Sequence, residues 1–578
     1  MSALGRLLRL LRPPPHLEVW YDEAYRMPLP SLEAAAGIEP RRVDFVLWFL
    51  LDRGVLQRDQ VRTPPLITFE DLQRVHPPEY LEALHQPATL ARIFGVDPSE
   101  IAVDPLLRSV RLGAGGTLEA ARSSLARRGP SLNLHGGFHH ARVAGGAGFC
   151  AVNDIAVAVQ ALRADGFDGQ VVVLDFDAHP PDGTAECLRG DEKCWIGSLS
   201  GSRWDGLEGV DEQVLPDRAD DATYLAALEA LLNRMPAPDL AFVVAGCDVL
   251  AGDRFGRLGL TKRGARRRDV LVAKALAGVG AVWLPGGGYH PDAWRVLAGT
   301  ALVLTGHPHR GIRKSYDPLM SRFVRVSGQL EPTDLHGDLE LTFADLEQEL
   351  FGRPPSNPRL LGFYTASGLE YALYRQGVLG HIQRLGYEKL RVDLDAGDVG
   401  QRMRLLGQSD GREHVLIEVV VERQQRGHDE VLFVNWLSLR NPRATFTPSR
   451  PQLPGQEVPG LGMGPEATAL LGLMARRLGL SAVVFRPAWY HLAYVGRARY
   501  RFVDPERQGR FEALVRDLGK LPLLEATRAL AEGRVRMNDE PYRWEASDMM
   551  YRLEPEEPTD EWNERCEHER ERVRFTWW

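Results

Sequence analysis

The stretch V-V-V-L-D-F-D-A-H-P-P-D-G-T, Val171 to Thr184, decides how this chain is read. Three valines and a leucine read as a buried strand. The strand runs directly into Asp175, Asp177, His179 and Asp182. Burying such groups without partners is costly, or shifts their pKa until they neutralise, so packing alone does not explain them. In extended backbone, residues i, i+2 and i+4 point the same way. Asp175, Asp177 and His179 therefore share one face, and two carboxylates with an imidazole suggest a divalent metal site.

Outward from this stretch, strands and helices alternate. Strands are expected at 131–134, 171–174, 240–245 and 281–284, besides a short one at 16–20. Helices are expected at 43–51, 116–127 (with Thr117 as cap), 153–163, 222–234, 269–277 and 292–304. Such alternation predicts an α/β domain, a central parallel sheet with helices on both faces. Ligands of such sheets bind beyond the carboxyl ends of the strands. The residues placed there are His139-His140 after the first strand, Asp175 to Asp182 after the second, Asp248 and Asp253 after the third, and Tyr289 after the fourth. Any one of these has a bland account as a cap, a turn or a satisfied loop pair. Four strands delivering such groups to one rim do not.

Asp177, His179 and Asp248 supply the three protein ligands of a catalytic zinc with a position left for water. A metal there polarises a carbonyl and acidifies its water. His139 and His140 are candidates for moving the water's proton, with Asp175 and Asp182 available to orient them. Tyr289 can donate to a developing oxyanion.

These residues fall in G-G-F-H-H-A (136–141), G-F-C-A-V-N-D (148–154), D-F-D-A-H (175–179), A-G-C-D-V-L-A-G-D-R-F-G (245–256) and G-G-G-Y (286–289). In order and spacing they resemble the histone deacetylase family, which has the arginase–deacetylase fold, and most of all its class IV and bacterial members. The resemblance covers residues 16–310. It implies Zn2+ (or Fe2+) on Asp177, His179 and Asp248, and hydrolysis of acyl-lysine or an acylated small amine. It pairs His139 with Asp175 and His140 with Asp182. His140 becomes the general base and acid, His139 its electrostatic partner, and Tyr289 the carbonyl clamp. Phe138, Gly148, Phe149 and Gly287 would line the substrate tunnel. A structural K+ would lie near Asp175, Asp177, His179, Ser198 and Leu199. One departure is Pro180-Pro181, where the family has His or Gln and then Gly. If Pro181 needs a positive φ, proline cannot supply it. Asp182 would then be displaced and activity weakened, so the alternatives are an impaired acyl-lysine-binding protein or another metal-dependent hydrolase on the same fold.

Beyond the catalytic domain, the expected organisation is a linker at 311–358, an α+β domain at 359–553 and a charged tail at 554–578, with an N-terminal extension at 1–15. The order of elements in the α+β domain is a helix at 367–385, strands at 389–394, 414–422 and 430–439, and a helix at 465–478 after P-G-L-G-M-G. It weakly resembles the N-acetyltransferase (GNAT) fold, which would imply acetyl-CoA. However, Glu457-Val458-Pro459 stands where that family has a basic residue.

Composition narrows the rest. With 44% hydrophobic residues, the 578-residue chain can bury a large core, which argues against wholesale disorder. A net charge of −8 argues against a nucleic-acid partner. The basic run Lys262–Arg268 reads as the solvated start of a helix. The five cysteines show no C-x-x-C spacing, which fits a reducing compartment. No apolar run reaches membrane-spanning length, and arginines interrupt the leucines of the first 15 residues. A cytoplasmic protein is the expectation.

Overall fold

The computed structural model describes residues 16–29, 39–204, 207–336, 358–396, 399–447, 450–554, 556 and 558–578. The expected extension 1–15 lies outside them. The chain divides into two compact units, Met1–Pro318 and Leu319–Trp578.

The first unit is built on an eight-stranded sheet in the order β2-β1-β3-β8-β7-β4-β5-β6, with every pairing parallel. Its strands are β1 (Glu18–Trp20), β2 (Val61–Arg62), β3 (Pro130–Asn133), β4 (Val171–Asp175), β5 (Cys194–Ser200), β6 (Val210–Val214), β7 (Leu240–Val244) and β8 (Gly280–Leu284). This is the arrangement of the arginase–deacetylase fold. The strands β4, β7 and β8 are buried along their whole length, as expected of a parallel sheet covered on both faces.

Three strands were missed, one of them the two-residue β2. In β5, C-W-I-G-S-L-S, a glycine and two serines break the apolar run. In β6, V-D-E-Q-V is polar because it forms the half-buried edge. The expected helix at 116–127 begins much earlier, at Val103. Its glycines read as a helix stop but are close-packing positions: a Cβ on Gly115 would meet the Pro65 carbonyl, and one on Gly116 the Tyr25 hydroxyl. Thr117 is therefore mid-helix and not a cap, and its hydroxyl donates to Asp154 Oδ2 at 2.6 Å. The Asp154–Ala164 helix is capped by Asn153, whose Oδ1 accepts the Ala156 N–H at 2.9 Å.

The second unit carries a seven-stranded mixed sheet, β14-β17-β13-β12-β11-β10-β9. Its first four strands form an antiparallel meander: β9 (Glu388–Ala396), β10 (Gln401–Ser409), β11 (Arg412–Arg426) and β12 (Asp429–Leu439). The β10 strand was not expected. The helix Gly464–Arg477 leads to β13 (Ala482–Phe485), which runs parallel to β12; β17 (Met549–Arg552) and β14 (Arg501–Phe502) complete the sheet.

Three boundaries differ from expectation. The helix at 367–385 is two, Ala366–Arg375 and Val378–Arg384, divided at Gly377 with φ 83°, and its cap is Thr365. The linker is partly structured: Pro318–Ser327 and Pro332–His336 are helices, and Leu330 and Leu335 are buried in the second unit's core. Residues 337–357 lie outside the described residues. The charged tail is not a tail. Its Asp560–Arg572 helix buries Cys566 and Glu569, Glu569 accepts from Arg510 Nε at 2.6 Å, and β18 (Phe575–Trp577) pairs with β15 (Val535–Met537). Mixed charge there is reciprocal pairing across helices. No helix among the described residues is long and apolar enough to cross a membrane.

Candidate metal and acyl-transfer site

At the carboxyl end of β4 the chain folds on its own side chains. Asp175 Oδ1 accepts the Asp177 N–H at 3.1 Å, and Asp177 Oδ1 accepts the His179 N–H at 3.1 Å. These are successive Asx turns, and they account for the every-second-residue spacing. Asp248, beyond β7, is tied to the same loop through the Ala178 N–H at 3.0 Å. The Gly287 N–H, beyond β8, donates to Asp177 Oδ2 at 2.7 Å.

Asp177, His179 and Asp248 each offer a ligand atom, all within 4.8 Å of one another. His179 Nδ1 lies 3.1 Å from Asp177 Oδ1 and 3.3 Å from Asp248 Oδ2. Asp248 is fully buried, yet its Oδ2 has no hydrogen-bond partner among the described residues. Burial and then the Asp177 charge push Asp248 up to about 7. Against the effect of burial, the hydrogen bond to Asp177 and the charges of both carboxylates raise His179 to about 10. A buried oxygen without a donor, beside two ligands competing for one proton, suits a divalent cation of the zinc type. Gly287 has to be glycine here, because a Cβ would come within 2.8 Å of both carboxylates.

The two histidines sit side by side, ring centroids 4.0 Å apart, with different partners. His139 Nδ1 is 2.9 Å from Asp175 Oδ2, and His140 Nδ1 is 2.7 Å from Asp182 Oδ1. Their electrostatics diverge. Burial opposes charge on His139, but Asp175 and Asp177 outweigh it and raise it to about 9. Burial, then the His139 charge, lowers His140 even though Asp182 pulls the other way. The two surroundings therefore favour charge on His139 and disfavour it on His140.

The Pro180-Pro181 step does not displace Asp182. Pro181 has φ −81° and ψ 59°, and the Asp182 N–H donates to the Pro180 carbonyl at 2.9 Å. This is an inverse γ-turn whose centre suits proline. Arg142 holds the other Asp182 oxygen through Nε at 3.1 Å and Nη2 at 2.8 Å.

His139, His140, Asp177 and His179 line one cavity of about 350 Å3, together with Phe138, Gly148, Phe149, Gly287 and Tyr289. Gly148 has φ 54°, and a Cβ there would strike the His140 ring. Phe138 is buried at the wall, edge-on to His135 at 5.0 Å. Burial and the Asp177 and Asp248 charges push the Tyr289 hydroxyl far up, so it stays a donor. Asp253 sets its backbone by accepting the Tyr289 N–H at 2.8 Å. Ser198, expected near a structural cation, is fully buried with no partner for its hydroxyl among the described residues.

Four residues of the site were missed. Trp204 stacks on His140 at 5.0 Å, and its loop follows β5, a strand that was itself missed. Phe255 packs edge-on to Tyr289 at 4.7 Å and stood inside a quoted motif without a role. Arg42 donates to the Gly286 and Gly288 carbonyls at 3.0 and 3.2 Å, 244 and 246 residues away. Arg268, read as part of a solvated face, is fully buried. Its Nη1 donates to the Gly246 carbonyl at 2.8 Å and its Nε to Asp269 at 2.9 Å, bracing the backbone two residues before Asp248.

Comparison with known proteins bears on the first unit. Residues 37–303 match the model of the histone deacetylase domain. An uncharacterized protein of Picosynechococcus sp. is 34% identical over 311 residues, covering 51% of this chain and 95% of that protein. "Histone deacetylase 2" of Arabidopsis thaliana is 28% identical over 298 residues, covering 49% and 77%. Among solved structures, an HDAC homolog from Aquifex aeolicus aligns at 22% identity over 52% of this chain and 86% of its own, with a TM-score of 0.44. Through its first unit, the chain belongs to the histone deacetylase family.

Proposed function

We propose that the first unit is a zinc-dependent deacylase that hydrolyses the amide of an acyl-lysine or an acylated small amine. The observation that carries this is the pair of neighbouring His–Asp units, at 2.9 and 2.7 Å, beside the Asp177–His179–Asp248 cluster. Zn2+ or Fe2+ held by those three residues would supply carbonyl polarisation and an acidified water. His140, kept neutral, takes the water's proton, and Asp182 holds its ring in the productive tautomer. The same nitrogen later returns the proton to the leaving amine. His139, kept charged, stabilises the negative charge that develops. Tyr289 donates to the oxyanion. Phe138, Gly148, Phe149 and Gly287, with Trp204 and Phe255, exclude water and hold the acyl-bearing chain. The buried Ser198 hydroxyl supports a structural K+ close to Asp175, Asp177, His179 and Leu199.

The impaired-binder alternative rested on Pro180-Pro181, and the 2.7 Å His140–Asp182 contact removes that motive. Purified protein with its metal content measured, then screened against acetyl- to myristoyl-lysine peptides and acetylated polyamines, tests the proposal. Loaded protein with no turnover on the panel would overturn it. A second bound metal per site would favour a two-metal hydrolase. For the second unit, acetyl-CoA binding is a separate proposal, supported by the meander, helix and parallel strand in succession. The acid Glu466 in the first turn of that helix counts against a pyrophosphate there. Titration calorimetry decides: no heat at millimolar acetyl-CoA ends it.

A further inference from the structure

The loops that follow β7 and β8 meet at one carboxylate. Asp253 is 8% exposed, and its oxygens divide their work between the two loops. Oδ1 accepts the N–H groups of Phe255 at 3.1 Å and Gly256 at 3.2 Å, within its own loop. Oδ2 accepts the N–H of Tyr289 at 2.8 Å, 36 residues away. No side-chain cation pairs with Asp253 among the described residues. Burying a carboxylate without a cation is costly, so the second oxygen must be needed. The turn at Phe255 and Gly256 does not need it, since one amide oxygen would serve there. Only the join to Tyr289 does, because an amide presents a donor where Oδ2 accepts.

The join falls where the chain is least stiff. Tyr289 follows three glycines, of which Gly286 has φ 54° and Gly288 φ 151°. Glycine loses more freedom on ordering than any other residue, so this loop has to be held from outside. Arg42 holds the Gly286 and Gly288 carbonyls, and Asp253 holds the Tyr289 N–H. The side chains on either side of the join also meet: the Phe255 ring, 42% exposed, stands edge-on to Tyr289 at 4.7 Å. Phe255 and Tyr289 both line the cavity, and Asp253 does not.

We propose that Asp253 is the positioning residue of the Tyr289 donor. Through Oδ2 it fastens the glycine loop to the loop of Phe255, so that the Tyr289 hydroxyl is set in place before the oxyanion forms. This rests on the deacylase reading above. An oxyanion donor acts at full strength only when preorganised, and a displacement of about 1 Å can cost about 100-fold in rate.

Asp253→Asn in the full chain tests this. It keeps an oxygen for the Phe255 turn and sets an NH2 against the Tyr289 N–H. The kcat should fall by about 10- to 100-fold. The KM should stay within about threefold and the metal content should be unchanged. In a Tyr289→Phe background the same substitution should change kcat by less than about twofold, because the donor it positions is already gone. Hydrogen exchange reads the join without turnover: the Tyr289 amide should exchange faster in Asp253→Asn, with β4 unchanged. Asp253→Ser removes the second oxygen without adding a donor there, and takes the same measurements if the asparagine variant does not fold. A wild-type kcat in the variant overturns the proposal. So does an equal fall of kcat in the Tyr289→Phe background, which would mean general damage, or an unchanged Tyr289 exchange rate. Metal-loaded wild-type protein without turnover overturns the deacylase reading, and the role of Asp253 with it; an unmoved kcat in active protein overturns the role alone.

Discussion

In the first unit, a cavity of about 350 Å3 brings two imidazole–carboxylate pairs beside three candidate metal ligands. In the second, a cavity of about 110 Å3 is walled mostly by leucine, isoleucine, valine and methionine. The difference follows from where each cavity lies. The first opens beyond the carboxyl ends of parallel strands, where turns deliver short polar side chains to one place. Charge survives burial there because nearly every group is answered: Asp175 by His139, Asp182 by His140 and Arg142, and Asp177 by the Gly287 and His179 N–H groups. The exception, Asp248 Oδ2, marks the place for a cation. The second cavity lies between helices over a sheet face, where side chains arrive at helical spacing and are selected for packing. The lesson is that an unanswered buried atom takes its meaning from its surroundings.

Breaking the first cavity should leave the second untouched, and the largest effect comes from the metal cluster. Asp248→Ala should lose the bound metal and bring deacylation to background; metal analysis beside the activity assay checks this. Next, His140→Ala should lower kcat/KM by about 10²–10⁴-fold while metal content persists, the range of a lost general base. Tyr289→Phe should cost about 10²–10³-fold, as loss of an oxyanion donor does.

Arg268→Met breaks a fully buried ion pair and leaves Asp269 uncompensated, which should cost about 3–5 kcal/mol in a denaturant titration. It also unbraces Gly246 beside the metal loop, so metal affinity should fall as well. The smallest effect is on pH dependence. His140 acts as the neutral base and its pKa lies below the ordinary 6.5, so activity should hold as pH falls past 6.5 and decline only at the lowered value. The Asp182 carboxylate raises that value, so Asp182→Asn should move the acid limb to still lower pH while reducing the rate. A limb above 6.5, or one moving upward, would break the assigned division of labour between the histidines.

Much of the site was legible because its chemistry is local. Asp175, Asp177, His179 and Asp182 lie within eight residues, and their Asx turns are encoded by the spacing itself. The strands β4, β7 and β8 were legible because full burial demands an unbroken apolar run. The edge strand β6 was not, because half-burial tolerates D-E-Q. Trp204 and Phe255 were missed because an aromatic residue in a loop gives no sign of what it will face. The glycines at 113–116 misled because permission to approach closely and permission to turn look the same in a sequence.

The sequence alone determined the parallel sheet, the rim of titratable groups and the three candidate metal ligands, because periodicity and charge placed after a strand are properties of neighbours along the chain. Only the tertiary structure decided that Pro181 accommodates an inverse γ-turn, that Arg42 and Arg268 brace loops far from them in sequence, and that 554–578 is packed. It also decided that His139 and His140, adjacent and chemically identical, lie in surroundings that favour charge on the first and disfavour it on the second. The physical reason is the same each time. Burial and the field of partners brought in from elsewhere set the energy of a charge or a backbone bend, and no residue carries its own surroundings with it.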